Sequence, residues 1–256
     1  MNVGKIRGVG AAGLALAAAL VATALAGAGA AGTSAPSAQK GKDKKPAAAP
    51  SVFVEDRGTL QIQVDGQPAG SEEFEIRSSG GAWTARGTAE VAAENGKPSK
   101  VTGKLELTPD GAPLRYEASW TASSPRKVTV EFEGTVAKLE MKLEGAAPFA
   151  QDFAFPSPPI LILDNNMYHH YAVLARIYDW EHKEQKTYNV LIPQDQTPGT
   201  VRAEYGGQQV VDGQKLDVLR VHSTDLEIEL YCDNGRLVRL EVPASKAVVV
   251  RQPGKK

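Results

Sequence analysis

A single cysteine, Cys232, stands in the 256 residues, which excludes an internal disulfide and leaves the fold to be held by its core alone. Aromatic residues make up only 6% of the chain, too few for the two girdles that border the apolar band of a lipid-facing barrel. Histidine is scarce too. His169, His170, His182 and His222 show no recognisable ligand spacing, and adjacent His169 and His170 would diverge by about 100° on a helix, so no metal is expected. There is no G-x-S-x-G nucleophile elbow or other established catalytic motif, so neither a catalytic residue nor a cofactor is assigned. A basic surplus is also missing. Outside residues 1–50 the 29 Lys+Arg fall to 23 and the 30 Asp+Glu to 29, a net charge of −6, which makes nucleic acid a poor partner.

What is present begins with an address. Lys5 and Arg7 precede an apolar run from Val9 to Leu25 and a small-residue stretch at Ala28-Gly29-Ala30, the pattern of an export signal over 1–30. The run is rich in Ala and Gly and falls short of the roughly 20 strongly apolar residues of a membrane anchor. No cysteine stands at its end to carry a lipid, so a periplasmic or extracellular protein is expected, not membrane-spanning once the signal is cleaved. Residues 31–50 hold nothing to bury and read as a disordered Ala/Pro/Lys-rich tether. About 200 residues remain, enough for one β-rich domain over 51–252.

From Val52 the period is two. Val101, Leu105 and Leu107 alternate with Thr102, Lys104 and Glu106; Leu114, Tyr116, Ala118 and Trp120 with Arg115, Glu117 and Ser119; Leu139, Met141 and Leu143 with Glu140, Lys142 and Glu144. Asp65-Gly66, Asn95-Gly96, Ser124-Pro125 and Asp233-Asn234-Gly235 punctuate the runs as hairpin turns, so neighbouring strands should be antiparallel. In 225–232, Cys232 shares a face with Leu226, Ile228 and Leu230 and should be a small core residue. In 214–223 the phase is muddled: both faces are covered, or a bulge changes the phase. If Arg220 and His222 face inward, they would anchor a ligand inside the barrel.

Pro148–Trp180 is the one stretch that does not read as strand and turn. Asp164 is a reasonable N-cap for a helix over about 165–178. Met167, Tyr168, Tyr171, Leu174, Ala175 and Tyr178 fall on one side with His170 at its edge, while His169, Arg176 and Trp180 lie opposite, with His169 exposed. An apolar arc this wide suits a helix that covers or fills the open side of a curved sheet.

About thirteen antiparallel strands with one helical interruption define a mainly β fold, a strongly curved sheet or incomplete barrel with the amphipathic helix over its concave face. On the export signal, the meander through 52–144 and the inserted Asp164-Asn165-Asn166 and His169-His170-Tyr171 segment, the chain resembles the half-barrel envelope proteins allied to the LolA and LolB lipoprotein carriers, and exported bacterial families of similar layout. That resemblance implies a concave apolar surface able to receive acyl chains. The first functional expectation is accordingly a lipid or other apolar ligand in a cavity lined by Tyr116, Trp120, Tyr168, His170, Tyr171, Leu174, Tyr178, Arg220 and His222. A second is an envelope scaffold whose partner docks on an exposed strip carrying Phe149, Phe153 and Phe155; a third is a hydrolase using His169 or His170 with Asp164 or Asp179.

Overall fold

The computed structural model describes residues 51–92, 98–121, 126–224 and 226–253. The expected export signal and tether, and the turns at Asn95-Gly96 and Ser124-Pro125, lie outside the described residues. The period-two segments form β1 (Asp56–Val64), β2 (Gln67–Ser79), β3 (Ala82–Val91), β4 (Ser99–Leu107), β5 (Pro113–Thr121), β6 (Arg126–Glu133) and β7 (Val136–Leu143). After β8 (Phe149–Ala154) and β9 (Ile160–Ile162) comes helix α1 (His169–Ile177). The chain then continues through β10 (Lys186–Ile192), β11 (Thr197–Val211), β12 (Gln214–His222), β13 (Glu227–Asp233), β14 (Arg236–Val242) and β15 (Ala247–Arg251).

All fifteen strands belong to one sheet in the order β8-β7-β6-β5-β4-β3-β2-β1-β15-β14-β13-β12-β11-β10-β9. Each neighbouring pair is antiparallel except β9 and β10, which the helical excursion between them makes parallel. Tight turns set the register: Asp65-Gly66 and Asn234-Gly235 both take the positive φ that a two-residue hairpin needs. The first and last strands meet mid-sheet, Leu60 opposite Arg251, where the guanidinium groups of Arg251 and Arg236 converge on Asp56. The sheet stays open, with β8 and β9 as its edges, and β9 lies alongside β5.

The inner face is apolar. Leu60, Ile62, Ile76, Leu105, Tyr116, Val130, Leu139, Leu219, Leu230 and Val249 are buried, whereas the outer face carries ion pairs such as Arg115–Glu131 and Lys142–Glu140. Helix α1 touches β3 on one side and β13 and β14 on the other, and every residue from His169 to Ala175 is buried. The helix is therefore inside the curl of the sheet, where a helix apolar on nearly every side belongs. Among the described residues no helix is long and apolar enough to cross a membrane.

Several expectations need adjusting. The stretch 148–180 contributes two strands, so the described residues form fifteen instead of about thirteen. The helix starts at His169, four residues later than expected, and His169 is 0% exposed because a helix enclosed by sheet has no solvent side. In β12 the muddled phase reflects two covered faces. Leu219 and Val221 join the main core, while Leu216 and Val218 pack outside with Tyr231 in a small second cluster. Cys232 points into the core, and burial raises its thiol pKa well above the ordinary range.

Candidate functional site

Helix α1 has no side-chain cap of its own; Tyr168 occupies the N-cap position without contributing a hydrogen bond. The N–H groups of His170 and Tyr171 bond to the carbonyls of Met167 and Tyr168, and that of His169 is met from across the barrel. The backbone N–H of His169 donates to Glu72 Oε2 at 3.0 Å and its Nδ1–H donates to Glu72 Oε1 at 2.5 Å, with both side chains fully buried. Glu72 lies in phase with Phe74 and Ile76 on the inner face of β2, so a carboxyl group reaches the positive end of the helix dipole through an apolar core. At the other end, Trp180 Nε1–H donates to the carbonyl of Ala175 at 2.7 Å.

Asp164, four residues before the N-cap Tyr168 instead of at the N-cap itself, joins three elements. Its Oδ2 accepts from the Tyr116 hydroxyl of β5 at 2.7 Å, and its Oδ1 accepts the backbone N–H groups of Gln194 at 2.9 Å and Asn165 at 3.1 Å. The backbone N–H of Asp164 donates to His170 Nδ1 at 3.0 Å. An N–H can only donate, so that nitrogen carries no proton and His170 is the neutral Nε2–H tautomer. Burial holds His170 well below the usual imidazole range, and the neighbouring His169 pushes it the same way. Burial also pushes the Asp164 carboxyl up to about 6, against the three hydrogen bonds that favour its ionised form.

These two groups act in opposite directions on stability. For Asp164 the folded pKa lies above the ordinary 3.8, so its stabilising contribution is complete below that value and is lost as pH rises through about 6. That is about 3 kcal/mol at neutral pH. His170 contributes stability above the ordinary imidazole pKa of 6.5 and loses it as pH falls toward its depressed folded value. Asp164→Asn removes the carboxyl half of this balance. Its melting temperature should therefore fall more steeply than the wild type's between about pH 6 and pH 4. Parallel curves in a thermal melt series would show that Asp164 does not titrate in this way.

The geometry gathers some of the expected residues and scatters others. A cavity of about 50 Å³ lies between α1 and strands β10–β14, lined by Leu163, Met167, Tyr168, Tyr171, Val190, Ile192, Val201, Ile228, Leu240 and Val242 with Asp164, Asn165, Asn166 and Ser223 among them. Of the expected lining, Tyr168 and Tyr171 border it. Tyr116, His170 and Leu174 are buried outside it in the packed core, and Tyr178 packs on Trp180. Trp120 is buried and donates to Gln194 Oε1 at 3.1 Å. Arg220 and His222 do not face inward: β12 turns them outward, where Arg220 pairs with Glu229 and His222 accepts from Arg202 Nε. The phenylalanine strip is not an exposed surface either. Phe149 is 39% exposed, but Phe153 and Phe155 are 6% and 7% exposed, drawn into the core by the pairing of β8 with β7. His169 and His170 are sealed from solvent; His170 meets Asp164 through the backbone N–H and not the carboxylate, and Asp179 pairs with exposed His182. Among the described residues no three His, Cys, Asp or Glu side chains gather as metal ligands.

No family matches this chain, and no curated protein matches it. Among solved structures it is similar to a β-barrel-like protein of the domain of unknown function DUF1849 from Brucella abortus, with a TM-score of 0.52 and 11% identity over 79% of this chain and 96% of that one. It is also similar to a DUF1089 family protein from Pseudomonas aeruginosa, with a TM-score of 0.45 and 11% identity over 68% and 90% of the two chains. At such identity the first likeness establishes the fold alone. The chain has a β-barrel-like fold, open at its edges and filled by one helix.

Proposed function

We propose that this is an exported envelope protein that receives the end of an apolar chain, such as an acyl group, in the slot between α1 and β10–β14. The observation that carries the reading is the slot itself, an apolar recess with Asp164, Asn165, Asn166 and Ser223 as its polar groups. The N-terminal export pattern and the resemblance to half-barrel lipoprotein carriers support it. At about 50 Å³ the recess is a third of the ~150 Å³ cavity that holds benzene, so it takes a chain terminus and no more unless its walls move. A whole lipid inside the barrel is not part of the proposal, because α1 occupies that space.

Substituting Ile228 by Trp fills the recess from β13 at an overpacking cost of about 1–3 kcal/mol. Wild-type protein should bind a fluorescent fatty acid, and native mass spectrometry of protein purified from its own envelope should detect a bound apolar molecule. Ile228→Trp, if its melt confirms folding, should bind the probe at least about tenfold more weakly. A wild type with no ligand and no probe binding would overturn the reading, as would a folded Ile228→Trp variant with unchanged affinity.

A further inference from the structure

The outside of a curved sheet is ordinarily convex, but over β1–β6 this one is dished. Phe74, Gly87, Gly103 and Ala118 form one inward-facing row across β2, β3, β4 and β5. A Cβ on Gly87 would come within 2.5 Å of His169 Nδ1, and one on Gly103 within 2.6 Å of Met167 Cε. With no side chains in the way, the sheet backbone sinks onto the start of α1, leaving an open basin of about 640 Å³ on its outer side. Glu75, Thr88, Thr102, Glu117 and Ser119 are only half-exposed there although they sit on the water face.

The chemistry of this basin differs from that of the rest of the domain. Five cationic side chains, Arg57, Arg77, Arg86, Lys104 and Lys127, line it against three carboxylates, Glu73, Glu75 and Glu117, on a domain whose net charge is −6. Arg86 and Lys104 stand directly opposite one another on β3 and β4, a pairing that destabilises a sheet unless an anion sits between. Each leans aside to a carboxylate, Arg86 to Glu75 at 2.6 Å and Lys104 to Glu106 at 2.5 Å. Among the described residues the Arg57 guanidinium and the Lys127 ammonium form no ion pair, although the Arg57 backbone N–H donates to Asp56. Beside the cations runs a row of hydroxyls, Thr88, Thr102 and Ser119, the last two hydrogen-bonded at 2.7 Å.

From this arrangement we infer that the basin binds an acidic glycan, a chain of sugar rings bearing carboxylates. The hydroxyl row suits sugar hydroxyls, while the guanidinium and ammonium groups suit carboxylates spaced along the chain. An anionic lipid would need a broad apolar surface for its tails, and apart from Phe74 and Ala118 at the floor every side chain that lines the basin is charged or bears a hydroxyl. A single-stranded nucleic acid would want aromatic stacking platforms, and the outward-facing side chains here include none.

Fluorescence anisotropy with a labelled oligogalacturonate of defined length, at low and at high salt, tests the inference. Binding should be saturable, should weaken with salt, and should fall about tenfold in Arg86→Gln/Lys104→Gln, which removes two charge-assisted contacts. Lys127→Gln should weaken binding by a smaller factor, and Lys215→Gln, on the far half of the sheet, should leave it unchanged. Absence of binding to the wild type, equal binding by the double and Lys127 variants, or displacement of the glycan by vesicles of anionic phospholipid would each overturn the inference.

Discussion

Replacing Glu72 by alanine should cost the protein about 3–5 kcal/mol, the penalty for breaking a buried pair by deleting one partner. Two donors on residue 169, the backbone N–H and Nδ1–H, lose the acceptors they now have at 3.0 and 2.5 Å in a region without solvent access. Among the described residues the first turn of α1 loses its only side-chain acceptor at the same time, since Tyr168 supplies none. Glu72→Gln keeps one acceptor oxygen in place and should lose about half as much. The informative variant is the double replacement Glu72→Leu/His169→Leu. With both polar side chains gone and the volume roughly kept, only the backbone N–H of residue 169 is left without its acceptor, so stability should return to within about 2 kcal/mol of the wild type, because well-packed apolar residues often replace a buried pair at little cost. Urea unfolding of the wild type, Glu72→Leu, His169→Leu and the double variant forms a complete cycle, and the coupling should exceed about 2 kcal/mol. An alanine variant that unfolds at the wild-type midpoint would mean that the helix keeps its position in the barrel without the Glu72 contact.

Legibility in the sequence tracked the number of faces each segment has. Strands with one wet face announced themselves, since Tyr116, Ala118 and Trp120 against Arg115, Glu117 and Ser119 can be read only one way. β9 is three residues long and buried on both faces, so Ile160, Leu161 and Ile162 show no alternation to detect. The helix was visible as a helix but misjudged in orientation. A wheel assigns His169 a side opposite the apolar arc, and inside a curled sheet that side is also interior. Glu72 could have been found, because strict alternation through Glu72, Phe74 and Ile76 places it inward; its charge argued against the phase that its neighbours fixed. Arg220 and His222 were ambiguous because β12 carries apolar residues on both faces, and only the pairing of Arg220 with Glu229 resolves which one is wet. The slot beside Tyr168 and Tyr171 draws its other walls from β10–β14, a juxtaposition that no local pattern encodes.

The glycine row makes the second large effect predictable from one distance each. A methyl group at Gly87 meets Glu72 Oε1 at less than contact distance and His169 Nδ1 at 2.5 Å, and both belong to a pair locked by two hydrogen bonds and enclosed on all sides. Nothing there can give way without separating the carboxyl group from the helix terminus, so Gly87→Ala should destabilise by about 3 kcal/mol, the upper end of ordinary overpacking. Gly103 is the control, being its cross-strand partner in the same row and facing the same way. Its added methyl group would meet the terminal Cε of Met167 at 2.6 Å, the far end of an unbranched side chain that can rotate aside, so Gly103→Ala should cost less than about 1 kcal/mol. Neither position takes a positive φ, so the comparison isolates packing from backbone strain. Denaturant midpoints for the two variants measure the difference directly. Equal losses would mean that the sheet, and not the carboxyl–imidazole pair, yields to the added carbon. In Glu72→Leu/His169→Leu the same Gly87→Ala substitution should then remain as costly as in the wild type, whereas a rigid pair predicts that its cost drops once the pair is gone.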